Sequence, residues 1–309
     1  MSKVLPQTPQ RFVHNGVALV TDRSAAGTGV TFCFSERLGG VSSAPYDSLN
    51  MGGSTDDDPA SVRENRRRLL AALGAEDLVD AIVRPGQVHG CDVARITDAA
   101  RPVPDWVRTG CDAVVCTVPG VVPLLVFADC VPVVIVTHGG FAVAHSGWRG
   151  TYGEIARLAA EALMEETGAA PGELAAYIGP HIAATSYEVS QELADQFSER
   201  FGQDVIPTPR HLDLSAAIRV SLCSAGVPCE RVVDCGLDTY ELTDRFFSHR
   251  AEHGRTGRHG ALAFMRPEVC SEGLLAPSGE TCTAGDGTDA TGGPCGPDGS
   301  DPAAERGER

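Results

Sequence analysis

The chain has 309 residues, with 41 acidic against 25 basic side chains and a formal net charge of -16. That length can bury a substantial core, and 42% hydrophobic with 21% charged residues is ordinary for a globular protein. The acidity argues against nucleic acid or an anionic membrane as partner, since both need a basic face, but leaves room for a small anion in a local basic pocket.

The first sixteen residues contain no apolar stretch of the secretory kind, so no signal peptide is expected. The run "TVPGVVPLLVFADCVPVVIV" is hydrophobic, but Pro119, Pro123, Asp129 and Pro132 interrupt it, which predicts two buried strands instead of a membrane span. The 11 cysteines are an odd number and scattered, and are expected to be mostly reduced in the cytoplasm.

In chain order, residues 1–29 form an N-terminal segment that is part of the main domain or leads into it. A strand is predicted at 30–34, then a Gly/Ser/Pro-rich loop. Asp58 caps a helix that carries Pro59 at its first position and ends at Gly74. Strands follow at 79–84, 112–117, 121–128, 132–137 and 140–145. A helix over 151–167 is expected to open on a capping box between Thr151 and Glu154. Next come a strand at 174–178, a helix at 190–201 capped by Ser190, a helix from Asp213 to Gly226, a strand at 231–235, and a final strand pair in "RFFSHR" and "HGALAFMR". The crowded central strands point to an α/β fold with mixed sheets and outer helices in a single domain over 30–268. From 270 to 309 the chain is Gly/Pro-rich and acidic with few large apolar residues, which predicts a disordered tail.

Three stretches share one design. "RPGQVHG" puts His89 after a strand, "VFADCVP" puts Cys130 between two strands, and "AHSGWRG" puts His145 at a strand end. Two imidazoles and a thiolate suit zinc, and three protein ligands leave the fourth position open, as in catalytic sites. Copper also accepts such donors. The chain lacks the repeated His-X-His pairs of a multi-copper cluster. The spacings alone do not establish convergence. A single His at a corner also reads as a packed core residue, and Cys130 with one His also reads as a nucleophile and base.

"FSERLGGVSSAPYDSLNMG", "RPGQVHG", "FADCVPVVIV", "AHSGWRGTYGEI", "IGPHIAATSYEV" and "FFSHRAEHGRTGRHGALAF" occur in this order. Together they resemble the laccase-domain family, also called multicopper polyphenol oxidases, whose members are described as purine nucleoside phosphorylases with adenosine deaminase activity. The resemblance runs from about residue 30 to 266. It implies a layered αββα sandwich and zinc ligation by His89, Cys130 and His145, which would be both catalytic and metal-binding. It implies purine nucleosides (adenosine, guanosine, inosine, with methylthioadenosine a further candidate) and inorganic phosphate as substrates. The older family description makes copper-dependent phenol oxidation the alternative. Ala183 and Ala184 stand where the family motif has Gly and Pro, and His249 where many members have Tyr.

The same resemblance points to Arg37 and Asn50 as substrate- or phosphate-binding. Arg149, beside the helix expected from Thr151, is a candidate phosphate ligand, or else a corner tie. Gln87 and Asp129 flank the metal ligands and could orient them or contact substrate. Trp148 could stack on a purine or pack the corner. His249, His253 and His259 read as a Gly/Arg-rich hairpin loop more readily than as a second metal site.

Overall fold

The computed structural model describes residues 6–100 and 103–266; the tail expected over 270–309 lies outside the described residues. Twelve strands and five helices follow in order: β1 (Gln10–His14), β2 (Val17–Thr21), β3 (Val30–Ser35), α1 (Pro59–Ala72), β4 (Ile82–Val83), β5 (Val93–Ile96), β6 (Ala113–Cys116), β7 (Val122–Phe127), β8 (Val131–Thr137), β9 (Gly140–Ser146), α2 (Trp148–Tyr152), α3 (Ile155–Thr167), β10 (Ala175–Ile178), α4 (Gln191–Phe201), α5 (Leu214–Ser224), β11 (Val232–Asp234) and β12 (His259–Met265).

They build two six-stranded mixed sheets, ordered β1-β2-β3-β12-β7-β4 and β11-β10-β8-β9-β6-β5. Period-two alternation explains the layers. Along β8, Val131, Val133 and Ile135 face the helices α3, α4 and α5, while Val134 and Val136 face the opposite sheet. Between the sheets lie Phe32, Phe34, Val114, Phe141 and Tyr177. On the far side of the first sheet, α1 lays Leu69 and Leu70 against Leu19, Leu124 and Phe264. The order of layers is therefore helix, sheet, sheet, helix, as the sequence resemblance implied.

Several helix ends form as the sequence dictates. The Asp58 carboxylate accepts from the Ala60 and Ser61 amides, and Gly74 adopts φ 66° beyond α1. Ser190 caps α4 and Asp213 caps α5 in the same way. The expected helix over 151–167 is corrected. Helix α2 begins at Trp148 without a side-chain cap, and the chain breaks at Gly153 and Glu154, where Glu154 takes φ 60°. No capping box forms. Thr151 Oγ1 pairs with Ser146 Oγ at 2.8 Å, and Glu154 bonds Arg157 and Arg200, both at 3.0 Å.

The strand expected over 79–84 shrinks to β4, because residues 76–81 coil into a 3-10 turn. "RFFSHR" is no strand; Phe246 and Phe247 are buried from a loop. Strands β1, β2 and β5 were not anticipated. The β1–β2 hairpin turns on Asn15 and Gly16, both at positive φ, as its two-residue loop requires. Cys223 and Cys229 form a disulfide, while the six other described cysteines are free. Among the described residues no helix is long and apolar enough to cross a membrane.

Candidate active site

The site grows out of the crossings between the two sheets. His89 lies on the chain from β4, in the first sheet, to β5, in the second, and Cys130 lies in the three-residue link from β7 to β8. The link bends over all three residues, and Asp129 turns it with φ 84°. His145 comes from β9, paired with β8 so that Pro132 faces His145. Period-two alternation sends His145 to the same inter-sheet face as Phe141 and Val143, where it meets Phe127 at 5.4 Å between ring centroids.

The donor atoms of His89, Cys130 and His145 all lie within 4.8 Å of one another, the only such group among the described residues. His89 Nδ1 is 4.0 Å from Cys130 Sγ, and the His89 and His145 rings stand edge to face at 4.7 Å. Gly147 has to be glycine here. A Cβ would lie 2.8 Å from His89 Nδ1 and 3.0 Å from Cys130 Sγ.

Asp112, wholly buried just before β6, organises the centre and was missed from sequence. Its Oδ1 accepts from His145 Nδ1 at 2.8 Å and the His89 amide at 3.0 Å, and its Oδ2 accepts from the Val88 and Gly90 amides. One carboxylate thus fixes the His145 tautomer, leaves Nε2 to face the other donors, and holds His89 at φ 60°. Such a backbone costs about 1–3 kcal/mol and persists only when its surroundings impose it. The available signal was a lone acid abutting an entirely apolar strand, "CDAVVC".

Electrostatics prepare the ligands. Burial by itself would raise the Cys130 thiol, but His145 and His89 outweigh it and bring it down to about 6. Burial would lower His145, and the Cys130 thiolate and Asp112 raise it instead. The Cys130 thiolate is thus held by a protonated His145, and a metal would displace that proton on binding.

The three side chains open into a cavity of about 530 Å³ that also meets Gln87, Phe127, Tyr187, His249, Arg250 and Arg258. That size is typical for a small-molecule site. A larger recess of about 660 Å³ lies over Arg37, Asp47 and Glu252, but holds no metal-binding group of donors. We assign the chemistry to the smaller one.

The other expected residues take distinct places. Arg37 is 8% exposed and directed into protein: Nε donates to the Asp47 carbonyl, and Nη1 to the Thr243 carbonyl and Glu252 carboxylate. Asn50 is buried, accepting from the Gly52 and Arg258 amides and donating to Asp57. The Gln87 amide donates to the Val126 carbonyl and accepts from its N–H, both at 2.9 Å, so it lines the cavity with its polar atoms engaged. Arg149 is exposed, 4.4 Å over the Trp148 ring, and Trp148 packs on the helix-side core. Asp129 accepts from Thr239 Oγ1 and the Arg250 amide, tying two loops to the link. Of the three late histidines, His249 lines the cavity, His253 is exposed on a turn and His259 is buried.

Two imidazoles and a thiolate, graded from buried His145 to exposed His89 and framed by two mixed sheets, form a group that could hold a metal ion. Residues 31–266 match the family model described as multi-copper polyphenol oxidoreductase laccase, and the chain belongs to that family. It is 36% identical over 244 residues to a purine nucleoside phosphorylase of Deinococcus radiodurans, covering 77% of this chain and 90% of that one. It is 34% identical over 261 residues to a purine nucleoside phosphorylase of Pseudomonas aeruginosa, covering 81% and 99%. The crystal structure of YlmD from Geobacillus stearothermophilus superposes with a TM-score of 0.74 at 31% identity, over 85% of this chain and all of that one (100%).

Proposed function

We propose that the chain is a zinc-dependent purine nucleoside phosphorylase acting on adenosine, guanosine and inosine, with adenosine deaminase activity in the same cavity. One observation carries the reading: His89, Cys130 and His145 converge inside a cavity large enough for a nucleoside. The activity named for relatives at 34–36% identity supports it. The donor set fits zinc best and copper second, with His89, Cys130 and His145 as the ligands. When bound, the metal would supply Lewis acidity.

The chain's own residues do the rest. Asp112 holds the Nδ1 proton of His145 and so keeps that ligand in one tautomer. Phe127, Ile182 and Tyr187 form an apolar wall of the cavity, and the two aromatic rings offer flat surfaces to a purine. Gln87, Arg37 and Asn50 act as positioning residues, since their polar atoms are engaged within the protein. In phosphorolysis a phosphate oxygen bonds to C1′ while the C1′–N9 bond breaks. The electron pair leaves with the purine, which takes up a proton. In deamination a water oxygen bonds to C6 and the amino group leaves as ammonia. The cytoplasm is the proposed compartment, in keeping with the six free thiols among the described residues.

The test is incubation of metal-replete protein with inosine or adenosine, with and without phosphate. Hypoxanthine release that requires phosphate, and inosine formed from adenosine, are expected. Neither product would defeat the reading. Stoichiometric copper with phenol oxidation and no nucleoside turnover would put a copper phenol oxidase in its place.

A further inference from the structure

We infer that Arg66, Arg84 and Arg258, which flank the Gly52–Gly53 loop, form the seat of the inorganic phosphate, with Arg258 on the wall of the metal-ligand cavity; the inference rests on the phosphorylase reading above. The three come from separate elements: Arg66 from α1, Arg84 from the end of β4, and Arg258 from the residue before β12. A Cβ on Gly53 would stand 2.5 Å from Arg84 Nη1 and 3.1 Å from Arg66 Nη2. One on Gly52 would stand 2.9 Å from Arg258 Cγ. The double glycine is what lets the chain thread between these side chains.

Two of the arginines are held in place. Arg66 donates through Nε and Nη2 to the Met51 carbonyl, at 3.2 and 2.6 Å. Arg258 Nη1 donates to the Thr256 and Gly257 carbonyls, both at 2.8 Å, and its backbone is pinned by Asn50 and Met51. That pinning gives buried Asn50 a purpose: it sets where Arg258 stands.

None of the three has a carboxylate at ion-pair distance among the described residues, although acids outnumber bases 41 to 25. Their neighbours on α1 differ, for Arg67 and Arg68 both pair with Glu64. Asp129 and Glu252 reach Arg258 only through space. Burial, and repulsion from Arg84 and Arg63, push Arg66 down to about 10. Crowded cations without a counter-charge favour an anion, and several guanidinium forks suit a tetrahedral dianion better than a single carboxylate. Arg258 and Ser54 both line the cavity that holds His89, Cys130 and His145, so the anion would sit beside the reacting sugar. Arg37 is a poorer candidate, because Glu252 already neutralises it.

The experiment is calorimetric titration of inorganic phosphate into metal-replete wild type, Arg84→Gln, Arg258→Gln and Arg84→Lys, with thermal midpoints measured with and without phosphate. Each Gln variant is expected to lose about tenfold to a hundredfold in phosphate affinity, and Arg84→Lys to keep most of it. Without phosphate the Arg84→Gln midpoint should hold or rise, since a charge that repels Arg66 has gone, whereas an arginine serving only the fold would lower it. Unchanged phosphate affinity in both Gln variants would overturn the seat. So would wild type that binds adenosine 5′-monophosphate here but not inorganic phosphate. Affinity lost in the variants, with no inosine cleaved by wild type, would uphold the seat and overturn the phosphorylase reading instead.

Discussion

As a proposed metal ligand, His145 would depend on Asp112, which stands 33 positions away in sequence and accepts from its Nδ1. Carboxylate-to-imidazole contacts of this kind commonly sustain about 10- to 100-fold in metal affinity. Asp112→Asn keeps the shape and loses the charge, so its zinc affinity, measured by competition with a chelator, should fall by about that factor. Affinity equal to wild type would show that the amide contacts alone orient the ligands. The three candidate ligand positions stood out in the sequence because each sits where a strand pattern stops, but only the family resemblance implied that they converge. Asp112 did not stand out, because its partners Val88, His89, Gly90 and His145 come from two other segments.

Elements are tied to one another by a few buried charges, and Glu36 at the end of β3 is the clearest. It is fully buried and accepts from Arg11 of β1 at 2.8 Å and from Arg245 at 2.6 Å, in the loop that leads to Phe246. Removing the shared acid strands two guanidiniums. Both keep some exposure to water, so the cost should be about 2–3 kcal/mol, below that of a fully buried pair. Glu36→Gln should show that loss in denaturant unfolding; a change below about 0.5 kcal/mol would class the cluster with surface pairs. At this scale local chemistry was a good guide to helix ends, as Asp58, Ser190 and Asp213 show. It failed at the α2–α3 corner. The Thr151–Glu154 pattern is a valid capping box locally, but a Cβ on Gly153 would overlap Cys91 Sγ, and Arg200 of α4 draws the Glu154 carboxylate away.

For the molecule as a whole, the inter-sheet layer sets the dielectric in which the titrating groups sit. His259 at the start of β12 is 1% exposed beside Phe127 and Phe246, and neither ring nitrogen meets hydrogen-bond geometry. Burial pushes its pKa down to about 3, and the Pro180 carbonyl opposes this without cancelling it. An unfolded histidine takes a proton near 6.5. Between about 6.5 and 3 the unfolded chain therefore binds more protons, and stability falls as pH falls, by up to about 1.4 kcal/mol per pH unit. His259→Leu removes that term. Its midpoint should track wild type above about pH 7 and fall less steeply below about pH 6. Parallel curves down to about pH 4 would mean that His259 protonates without cost in the fold.

The sequence by itself determined the alternating apolar runs that become inner strands, the capped helices, and the His89, Cys130 and His145 positions at strand ends. Those features depend on residues within a turn or two. The tertiary structure alone decided which polar side chains are free to act. The family resemblance points to Arg37 as a phosphate ligand, while the fold sets Glu252, 215 positions on, 3.0 Å from its guanidinium. Arg258 looked like one more arginine in a hairpin until Asn50, 208 positions earlier, fixed it beside the cavity. Whether a charge is spent or available depends on what the fold brings within about 4 Å of it, and spacing along the chain does not carry that information.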